Sequence, residues 1–356
     1  MSIPDPVLVV QTAFLGDVIL TLPVAQVLRR LQPGLSVDMM VVPRTAAVIA
    51  NHPDIRETLI YDKRGADSGL RGFFRVMKAV KRRDYRCAIV PHRSLRSALL
   101  AKLAGIPVRV GFDSSAGRRL FSRTVPYARE LHEIDRNLRL LEAVGVDHAA
   151  HDAPRLYPGE REKETVTEFL AASGTAGAAP LIAIAPGTVW NTKRWPAERF
   201  AALAGGLARR GFRVILVGGP EDAELCREIA AAGGGIMDAS GKFPVLGSAE
   251  LIRRSALLVC NDSAPLHLAT AVGTPVLAIF GATIPAFGFG PTGPRDRVME
   301  TRGLPCRPCS IHGGDRCPVG TFECMIRITP ETVLDAVISM TSGTSGTSGT
   351  GGRGSI

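Results

Sequence analysis

Residues 7–31 read VLVVQTAFLGDVILTLPVAQVLRRL. The apolar run from Val7 to Val10 is typical of a buried strand, and the segment LPVAQVLRRL has helical spacing. Asp17 follows a glycine in a stretch otherwise rich in Leu, Ile, Val and Phe. We consider two roles for this carboxylate, a helix cap and a catalytic base. The stretch predicts the first strand and helix of an α/β fold.

Strand and helix signals alternate along the whole chain. Further short apolar runs are VDMMVV, TLIY, CAIV and VRVGF in the first half, and LIAIA, RVILV, ALLVC and PVLAIF in the second. Strands that alternate with helices predict parallel sheets with helices on both faces. The Gly/Ala-rich segment EFLAASGTAGAAP separates the two series and is typical of a linker. The predicted fold is therefore α/β, with two Rossmann-like domains.

The predicted domain bounds follow from this linker. Residues 1–165 form the first domain, residues 166–179 the linker, and residues 180–340 the second domain. The segment TPETVLDAVISM predicts a closing helix, because it has a Thr cap, Pro at the first helical position and an acidic first turn. Residues 341–356, TSGTSGTSGTGGRGSI, cannot bury apolar area and are predicted to be disordered.

Length and composition limit the class of protein. A chain of 356 residues, 46% hydrophobic and 21% charged, is globular and fits two domains of roughly 150 residues each. No apolar run reaches the roughly 18 residues of a membrane span, and the amino terminus lacks the basic-then-apolar layout of a signal peptide. We therefore expect a soluble, cytoplasmic protein.

Positive charge is concentrated in the first half of the chain. Residues 61–140 contain 19 Lys and Arg against 7 Asp and Glu, a local balance of +12, whereas the whole chain carries +10. Such an excess suits a polyanionic partner such as phosphate, nucleic acid or an anionic lipid surface. Ordinary solvated helix faces are the alternative for any single cluster.

Polar residues follow two predicted strands of the second half. Thr188 and Lys193 lie in APGTVWNTKRWP, where a diphosphate would find a cation and a helix amino terminus. Asp262, Ser263 and His267 lie in NDSAPLHLATAVGTP, after the strand ALLVC. Taken singly, Asp262 or Ser263 could cap a helix, and His267 could be a packed core residue. Together they indicate a ligand site at the carboxyl ends of the strands. The chain has neither a G-x-G-x-x-G after its first strand nor a P-loop, which disfavours dinucleotide oxidoreductases and P-loop enzymes.

These stretches resemble one family. TKRWP after an APGT strand end, NDSAPLHLA further on and FLGDVILTLP at the amino terminus are similar to glycosyltransferase family nine, the ADP-heptose:lipopolysaccharide heptosyltransferases, and most of all to heptosyltransferase II. The resemblance implies a GT-B fold, in which an acceptor domain and a nucleotide-sugar domain face each other across a cleft and the closing helix often packs back on the first domain. It also implies an inverting transfer of L-glycero-D-manno-heptose from ADP-heptose to the inner core of lipopolysaccharide.

The resemblance assigns roles to particular residues. Asp17 matches the family's proposed base, which would take the proton of the acceptor hydroxyl. Lys193 matches a diphosphate-binding position and would stabilise the charge on the departing ADP, so it too is a candidate catalytic residue. Glu221 lies where an acidic residue can hold the ribose hydroxyls. The implied donor-binding set is Gly187, Thr188, Lys193, Glu221, Asp262, Ser263 and His267.

Two glycine positions bear on how closely the backbone could approach the donor. This chain has Ala264 where the family motif DxGxxH has Gly, a departure of one methyl group. Gly16, beside the expected base, would let the backbone come close to the sugar, with residues 18–22 as the buried face of its helix.

The resemblance also gives the basic first half a partner. Acceptors of the family, of the Kdo-lipid A type, carry carboxylates and often phosphates, and they lie at a membrane surface. We therefore expect a protein without a transmembrane segment that is peripheral at the inner face of the cytoplasmic membrane. The segment HEIDRN resembles a family segment near the cleft, which favours His132 and Arg136 as acceptor-binding residues. The basic loop at residues 118–119 could simply be solvated. The candidate acceptor-binding residues are Lys63, Arg64, Arg118, Arg119, His132 and Arg136.

No Asp-x-Asp pair occurs in the chain. This absence predicts turnover without a metal ion, with cations and helix amino termini holding the diphosphate.

One cysteine-rich segment, CRPCSIHGGDRCPVGTFEC, has no role in the reaction described above. Its thiols are compatible with a structural zinc or iron–sulfur site; reduced thiols in an acceptor-facing loop are the alternative, and a cytoplasmic location disfavours a disulfide. The four thiols belong to Cys306, Cys309, Cys317 and Cys324.

Two other functions compete with this hypothesis. A GT-B transferase of the same family could act on a protein or another glycan through the same donor site. A non-enzymatic polyanion-binding protein, for example one that binds nucleic acid, could explain the basic half. The chain is only 5% aromatic and has no recognised nucleic-acid motif, so we expect no nucleic-acid partner.

Overall fold

The computed structural model describes residues 3–147, 151–173, 179–231 and 233–342. Two six-stranded sheets form its centre, with strand orders β3-β2-β1-β4-β5-β6 and β12-β11-β10-β7-β8-β9. The strands are β1 (Val7–Val10), β2 (Val37–Val41), β3 (Glu57–Ile60), β4 (Cys87–Val90), β5 (Val108–Phe112), β6 (Arg123–Val125), β7 (Leu181–Ala185), β8 (Arg213–Leu216), β9 (Met237–Asp238), β10 (Leu257–Asn261), β11 (Val276–Phe280) and β12 (Arg297–Glu300).

Every pairing within the two sheets is parallel. The connecting helices are α1 (Leu15–Leu31), α2 (Pro43–Ala46), α3 (Gly69–Lys81), α4 (Leu95–Leu103), α5 (Glu133–Arg139), α6 (Glu160–Ala172), α7 (Ala197–Arg209), α8 (Ala223–Ala231), α9 (Val245–Arg253), α10 (Ala264–Val272), α11 (Glu323–Ile326) and α12 (Pro330–Ser342). The predicted α/β fold of two Rossmann-like domains is confirmed.

Helix α1 joins the two domains. It packs against α5 of the first domain and α10 of the second, and its residues 18–28 are all buried. Most of those buried residues belong to one apolar core that contains side chains of both domains. Because both sheets present the carboxyl ends of their strands toward this contact, the loops after the strands meet in a cleft.

The segment between the domains differs in part from the prediction. Helix α6 runs through residue 165, and its Phe169 packs edge-to-face on Phe243 of the second domain. The predicted linker therefore begins inside a helix, because Val166, Phe169 and Leu170 contribute to the apolar core. Residues 174–178 lie outside the described residues.

The closing helix forms where the sequence predicts it. Helix α12 begins at Pro330, and the Oγ1 of Thr329 accepts a hydrogen bond from the N–H of Thr332 at 3.3 Å. The resemblance implied packing of this helix on the first domain, but α12 packs on α7 of the second domain, where the buried side chains of Val333 and Val337 join that domain's own core. Residues 343–356, most of the predicted tail, lie outside the described residues. In the described part of the chain, no helix has the length and apolar character needed to cross a membrane.

Candidate active site

A cavity of about 280 Å³ lies in the cleft and has walls from both domains. The loop before α1 and the first turn of α1 form one wall, and the loops after β7, β10 and β11 form the other. The arrangement brings six of the predicted site residues to one place. These are Asp17, Thr188, Lys193, Asp262, Ser263 and His267.

Asp17 is the third residue of α1. Its Oδ2 accepts a hydrogen bond from the N–H of Phe14 at 3.1 Å, so the carboxylate caps the helix without occupying the N-cap position. Burial raises the pKa of Asp17, while the hydrogen bond from Phe14 and the charges of Arg93 and Lys193 oppose that rise. The same side chain lines the cavity, so a capping role and a role in chemistry are compatible.

A buried ion pair lies on the other wall. The Nζ of Lys193 is 2.7 Å from Oδ2 of Asp262, and the two side chains are only 14% and 8% exposed. The hydroxyl of Thr283 donates to the same carboxylate oxygen at 2.6 Å. Asp262 therefore does not have the capping role that was considered for it. Its carboxylate holds the Lys193 ammonium at the cavity wall.

Two loops fix the position of Lys193. Asn261, the last residue of β10, accepts a hydrogen bond from the N–H of Trp195 at 3.0 Å and donates one to the carbonyl of Pro186 at 2.8 Å. On the outer side, Thr192 exchanges two hydrogen bonds with Gly314 of the cysteine-rich segment, at 3.0 and 2.8 Å. The turn that carries Lys193 is therefore held from both sides.

His267 contacts the first domain. Its ring lies against Gly16, where an added Cβ would be 2.7 Å from the ring Cδ2. Burial lowers the pKa of His267 to about 3, with smaller contributions from His132 and Lys193. The ring is therefore neutral near pH 7. Gly16 also lines the cavity, and its lack of a side chain leaves room for this histidine.

The remaining donor candidates lie outside the cavity or at its edge. Gly187 is buried, and an added Cβ there would meet the carboxylate of Asp222 at 2.0 Å. Glu221 is exposed in the short turn after β8 and does not line the cavity. Ser263 occupies the N-cap position of α10 but makes no capping hydrogen bond there. The structure therefore does not bring Gly187 and Glu221 together with the other candidates.

A second cavity, of about 390 Å³, adjoins the first at Phe14, which lines both. The Nζ of Lys63 donates to the carbonyl of Thr12 at 2.7 Å, and Oγ1 of Thr12 lies 3.1 Å from Nδ1 of His92. Burial lowers the pKa of His92 to about 4, and nearby Lys63 and Arg93 contribute. The basic side chains on its wall suit an anionic group; they belong to Arg44, Lys63 and Arg64.

His132 and Arg136 lie between the domains and line neither of the two cavities described above. Nε2 of His132 is 3.0 Å from the carbonyl oxygen of Gly290, and burial lowers the pKa of His132 to about 4. Arg136 is 2% exposed and forms an ion pair of 2.9 Å with Glu133. In this arrangement the polar atoms of both residues are occupied by protein partners, so their assignment to the acceptor stays a prediction.

Arg118 and Arg119 lie in a short turn beside α4. Both are exposed and neither lines a cavity named above. Their position therefore agrees with the alternative that this basic loop is simply solvated.

Sequence reasoning missed Arg93. Its guanidinium stacks on the ring of Tyr127 at 4.3 Å, and its charge opposes the raised pKa of Asp17. Tyr127 is fixed by Phe112, edge-to-face at 5.1 Å, and by hydrogen bonds with Glu133 and Arg136 of 3.2 and 3.0 Å. The signal was present in the sequence, since Arg93 follows the strand CAIV as Asp262 follows ALLVC.

Other missed residues are Thr283, Trp190 and His312, all of which line the first cavity. Thr283 belongs to the strand-end segment FGAT, and the rule that ligands bind at strand ends could have identified it. His312 belongs to the cysteine-rich segment, which no local signal connected with Lys193.

The four clustered cysteines have free thiols. Burial and the neighbouring thiols raise the pKa of Cys309 and of Cys324. Among the described residues, no group of three or more His, Cys, Asp or Glu side chains is arranged to hold a metal ion. The segment nevertheless contacts the site, since Ile311 and His312 line the cavity.

Comparison with known proteins identifies the family of this chain. Residues 73–314 match glycosyltransferase family 9 (heptosyltransferase). Lipopolysaccharide heptosyltransferase 1 of Pseudomonas aeruginosa is 31% identical over 85% of this chain and 85% of its own length. The structure of the glycosyl transferase family 9 protein of Veillonella parvula superposes with a TM-score of 0.87, at 25% identity, over 97% of this chain and 99% of that one.

A solved Escherichia coli heptosyltransferase, WaaC with ADP-2-deoxy-2-fluoro heptose, shares the fold, with a TM-score of 0.70 at 21% identity over 94% of this chain and 99% of that one. The family match covers more than half of the chain, and the fold and the cleft agree with it. This chain belongs to glycosyltransferase family 9 (heptosyltransferase), and it is a glycosyltransferase.

Proposed function

We propose that this enzyme transfers L-glycero-D-manno-heptose from ADP-heptose to the inner core of lipopolysaccharide, with inversion at the anomeric carbon. One observation carries the proposal: a single cavity in the cleft has a carboxylate, Asp17, on one wall and a buried cation, Lys193, on the other. The names of the Pseudomonas aeruginosa relative and of the Escherichia coli structure supply the acceptor class and the donor class.

In the proposed reaction, the acceptor hydroxyl oxygen attacks the anomeric carbon of the donor while Asp17 takes the hydroxyl proton. The bond between that carbon and the diphosphate oxygen breaks, and ADP leaves with the electron pair. A raised pKa suits this role, because a carboxylate of higher pKa is a stronger base provided it is still ionised at the working pH. Arg93 and Lys193 favour the ionised form.

The departing diphosphate gains negative charge, and Lys193 is the cation placed to stabilise it. Its ion pair with Asp262 fixes the ammonium before the donor binds, so little reorganisation is needed. Thr188 offers a hydroxyl on the same wall. Asp262, Ser263 and His267 are proposed to contact the donor, and Glu221 and Gly187 are retained as donor-site predictions near the nucleoside.

The second cavity is the proposed acceptor site. It adjoins the first cavity at Phe14, and the basic side chains of Arg44, Lys63 and Arg64 line it, so it suits the carboxylates and phosphates of a Kdo-lipid A acceptor. An acceptor anchored in lipid requires the enzyme to work at a membrane surface. We propose a peripheral association with the inner face of the cytoplasmic membrane.

We propose that catalysis needs no metal ion, since a cation and helix amino termini already line the donor wall. Activity measured in chelator should equal that in Mg²⁺; loss in chelator with recovery in Mg²⁺ would contradict this. A structural zinc or iron–sulfur site at the four cysteines stays a separate proposal. Metal analysis of protein purified anaerobically decides it, and less than about 0.1 equivalent of zinc or iron would remove it.

The test of function is transfer from ADP-heptose to defined inner-core acceptors, with the anomeric configuration of the product read by NMR. Asp17→Asn should reduce kcat by at least about 100-fold, whereas Asp84→Asn, at an exposed surface position, should leave it unchanged. Turnover like that of the unaltered enzyme in Asp17→Asn would remove the base assignment. Retention of the donor's anomeric configuration in the product would remove the single-displacement mechanism.

An alternative within the family is transfer to a protein or another glycan. It shares the donor site and differs in the second cavity, so the same assay with protein acceptors separates the two. The non-enzymatic polyanion-binding alternative loses its support, because the chain belongs to a family of transferases.

A further inference from the structure

A basic and apolar surface lies on the outer side of the first domain. Helices α3 and α4 cover the face of the sheet opposite α1, with a separate apolar core beneath them. Their outward side chains include three large apolar residues: Leu70 is 77% exposed, Leu95 52% and Phe74 45%. Large apolar side chains exposed together on one face commonly mark a binding surface.

Helix α3 is two-sided. Phe73, Val76 and Val80 point into the core, whereas Leu70 and Phe74, four residues apart, share the outer side with cations. Residues 68–112 contain eleven Lys and Arg and a single acidic residue, Asp84. An outer face that carries both cations and large apolar side chains offers an anionic membrane electrostatic attraction and apolar area that can insert.

Most of these cations have no acidic partner. Arg75, Arg83 and Arg86 are ion-paired, with Asp67, Glu57 and Asp84 respectively. Seven others are exposed and form no ion pair within the described residues, so their charge is available to an external anion. They are Arg71, Lys78, Lys81, Arg82, Lys102, Arg118 and Arg119.

The apolar residues sit at the edge of the sheet where the cavities open. The guanidinium of Arg96, in the first turn of α4, donates to the carbonyl of Gly69 at 3.2 Å, which brings Leu95 and Leu70 to the same end of the domain. Gly117, before the turn of Arg118 and Arg119, lies against the backbone of Leu95. This edge is also the one that carries Lys63 and His92 of the second cavity, since both follow strand ends.

We propose that this surface, formed by α3, the first turn of α4 and the turn at residues 118–120, docks the enzyme on a bilayer that contains anionic phospholipids. Leu70, Phe74 and Leu95 insert among the lipids, and the unpaired cations contact their phosphates. The inference rests on the proposed function for its purpose: a lipid-anchored acceptor could then enter the second cavity from the membrane. Exposed Leu side chains favour a bilayer over a single-stranded nucleic acid, because the bases of a single strand stack on aromatic side chains.

The test uses the full chain and vesicles of phosphatidylcholine, alone or mixed with phosphatidylglycerol, in a co-sedimentation assay. The protein should bind the mixed vesicles, and binding should weaken as salt is raised. The double variant Leu70→Ser/Phe74→Ser should reduce the bound-to-free ratio about tenfold or more, and Lys78→Ser/Lys81→Ser should do the same.

Matched controls are Leu31→Ser/Ile326→Ser, which removes two apolar residues that are 56% and 45% exposed elsewhere, and Arg227→Ser/Arg295→Ser, which removes two exposed cations of the second domain. Both should bind like the unaltered protein. Equal losses in controls and test variants would overturn the proposal, as would binding to an oligonucleotide in place of vesicles.

Transfer assays separate this inference from the proposed function. The surface variants should keep their activity on a lipid-free acceptor and lose it, about tenfold, on an acceptor embedded in vesicles. Vesicle binding that depends on Leu70 and Phe74, in a protein that transfers heptose to neither acceptor, would sustain the docking surface and refute the function. Equal activity of the variants on both acceptors would show that the surface does not serve catalysis.

Discussion

The imidazole of His267 lies against the Cα of Gly16, so close that any side chain at position 16 would begin 2.7 Å from the ring. The contact joins the first turn of α1 to the middle of α10, and therefore one wall of the cavity to the other. Asp17 follows Gly16 directly, so the distance between the carboxylate and the donor wall depends on this contact.

We expect Gly16→Ala to destabilise the protein by about 1–3 kcal/mol, because the added methyl group forces His267 or α1 to shift, and to lower kcat through Asp17. Urea denaturation and steady-state kinetics measure the two effects. Gly34→Ala is the control, because no atom lies within 4 Å of an added Cβ there. Adding His267→Ala should recover part of the loss in stability; strictly additive effects would contradict the contact.

Arg93→Ala should move the acid limb of the kcat/KM profile to higher pH. Burial raises the pKa of Asp17, and Arg93 opposes that rise, so removing the guanidinium favours the protonated, inactive carboxyl group. The other charges that influence this carboxylate, Lys193 and Glu133, are unchanged in the variant. Arg227→Ala, an exposed cation of the second domain, should leave the limb in place. A limb that stays fixed or moves to lower pH in Arg93→Ala would refute the proposed link.

Lys193→Ala should lower kcat by about 100- to 1,000-fold, because it removes the cation that faces the leaving diphosphate. The measurement is steady-state transfer at saturating donor. Thr283→Val is the matched control: it removes the other hydrogen bond to Oδ2 of Asp262 but no charge, and its effect should be much smaller. Equal losses in the two variants would mean that the position of Asp262, not the charge of Lys193, limits the rate.

Arg136→Ala should destabilise the protein by about 3–5 kcal/mol, since it leaves the buried carboxylate of Glu133 without its cation and with the hydroxyl of Tyr127 as its remaining partner. This differs from the role in acceptor binding expected from the sequence, which predicts a higher acceptor KM instead. Denaturation curves and acceptor KM distinguish the two. Combining Arg136→Ala with Glu133→Gln should restore part of the stability, because the second change removes the unpaired charge. A stable Arg136→Ala enzyme with a raised acceptor KM would restore the original assignment.

Local patterns predicted the closing helix and nine of the twelve described strands, because buried parallel strands are continuous apolar runs. They missed β6, β9 and β12, which lie at the edges of the two sheets. CAIV, for example, is β4 to the residue. The same reasoning brought Lys193 and Asp262 to one site, since both follow strands of one parallel sheet.

Local patterns could not predict which polar residues face solvent and which face the other domain. Arg136 and Arg118 were both candidate acceptor-binding residues, yet Arg136 is buried against Glu133 and Arg118 is exposed. Gly16 had a plausible role beside a sugar, but His267, its neighbour, is 251 positions away in the chain. Contacts at such separation depend on how the two domains pack.

The packing of α1 between both domains has a consequence for synthesis on the ribosome. Helix α1 ends at Leu31, and α10, which covers part of it, begins at Ala264. At about 5–20 residues per second, the second helix emerges roughly 10–50 s after the first. During that interval the apolar side of α1 that later meets α10 has no native partner, so the nascent first domain is the stage of biogenesis at which a chaperone is most useful.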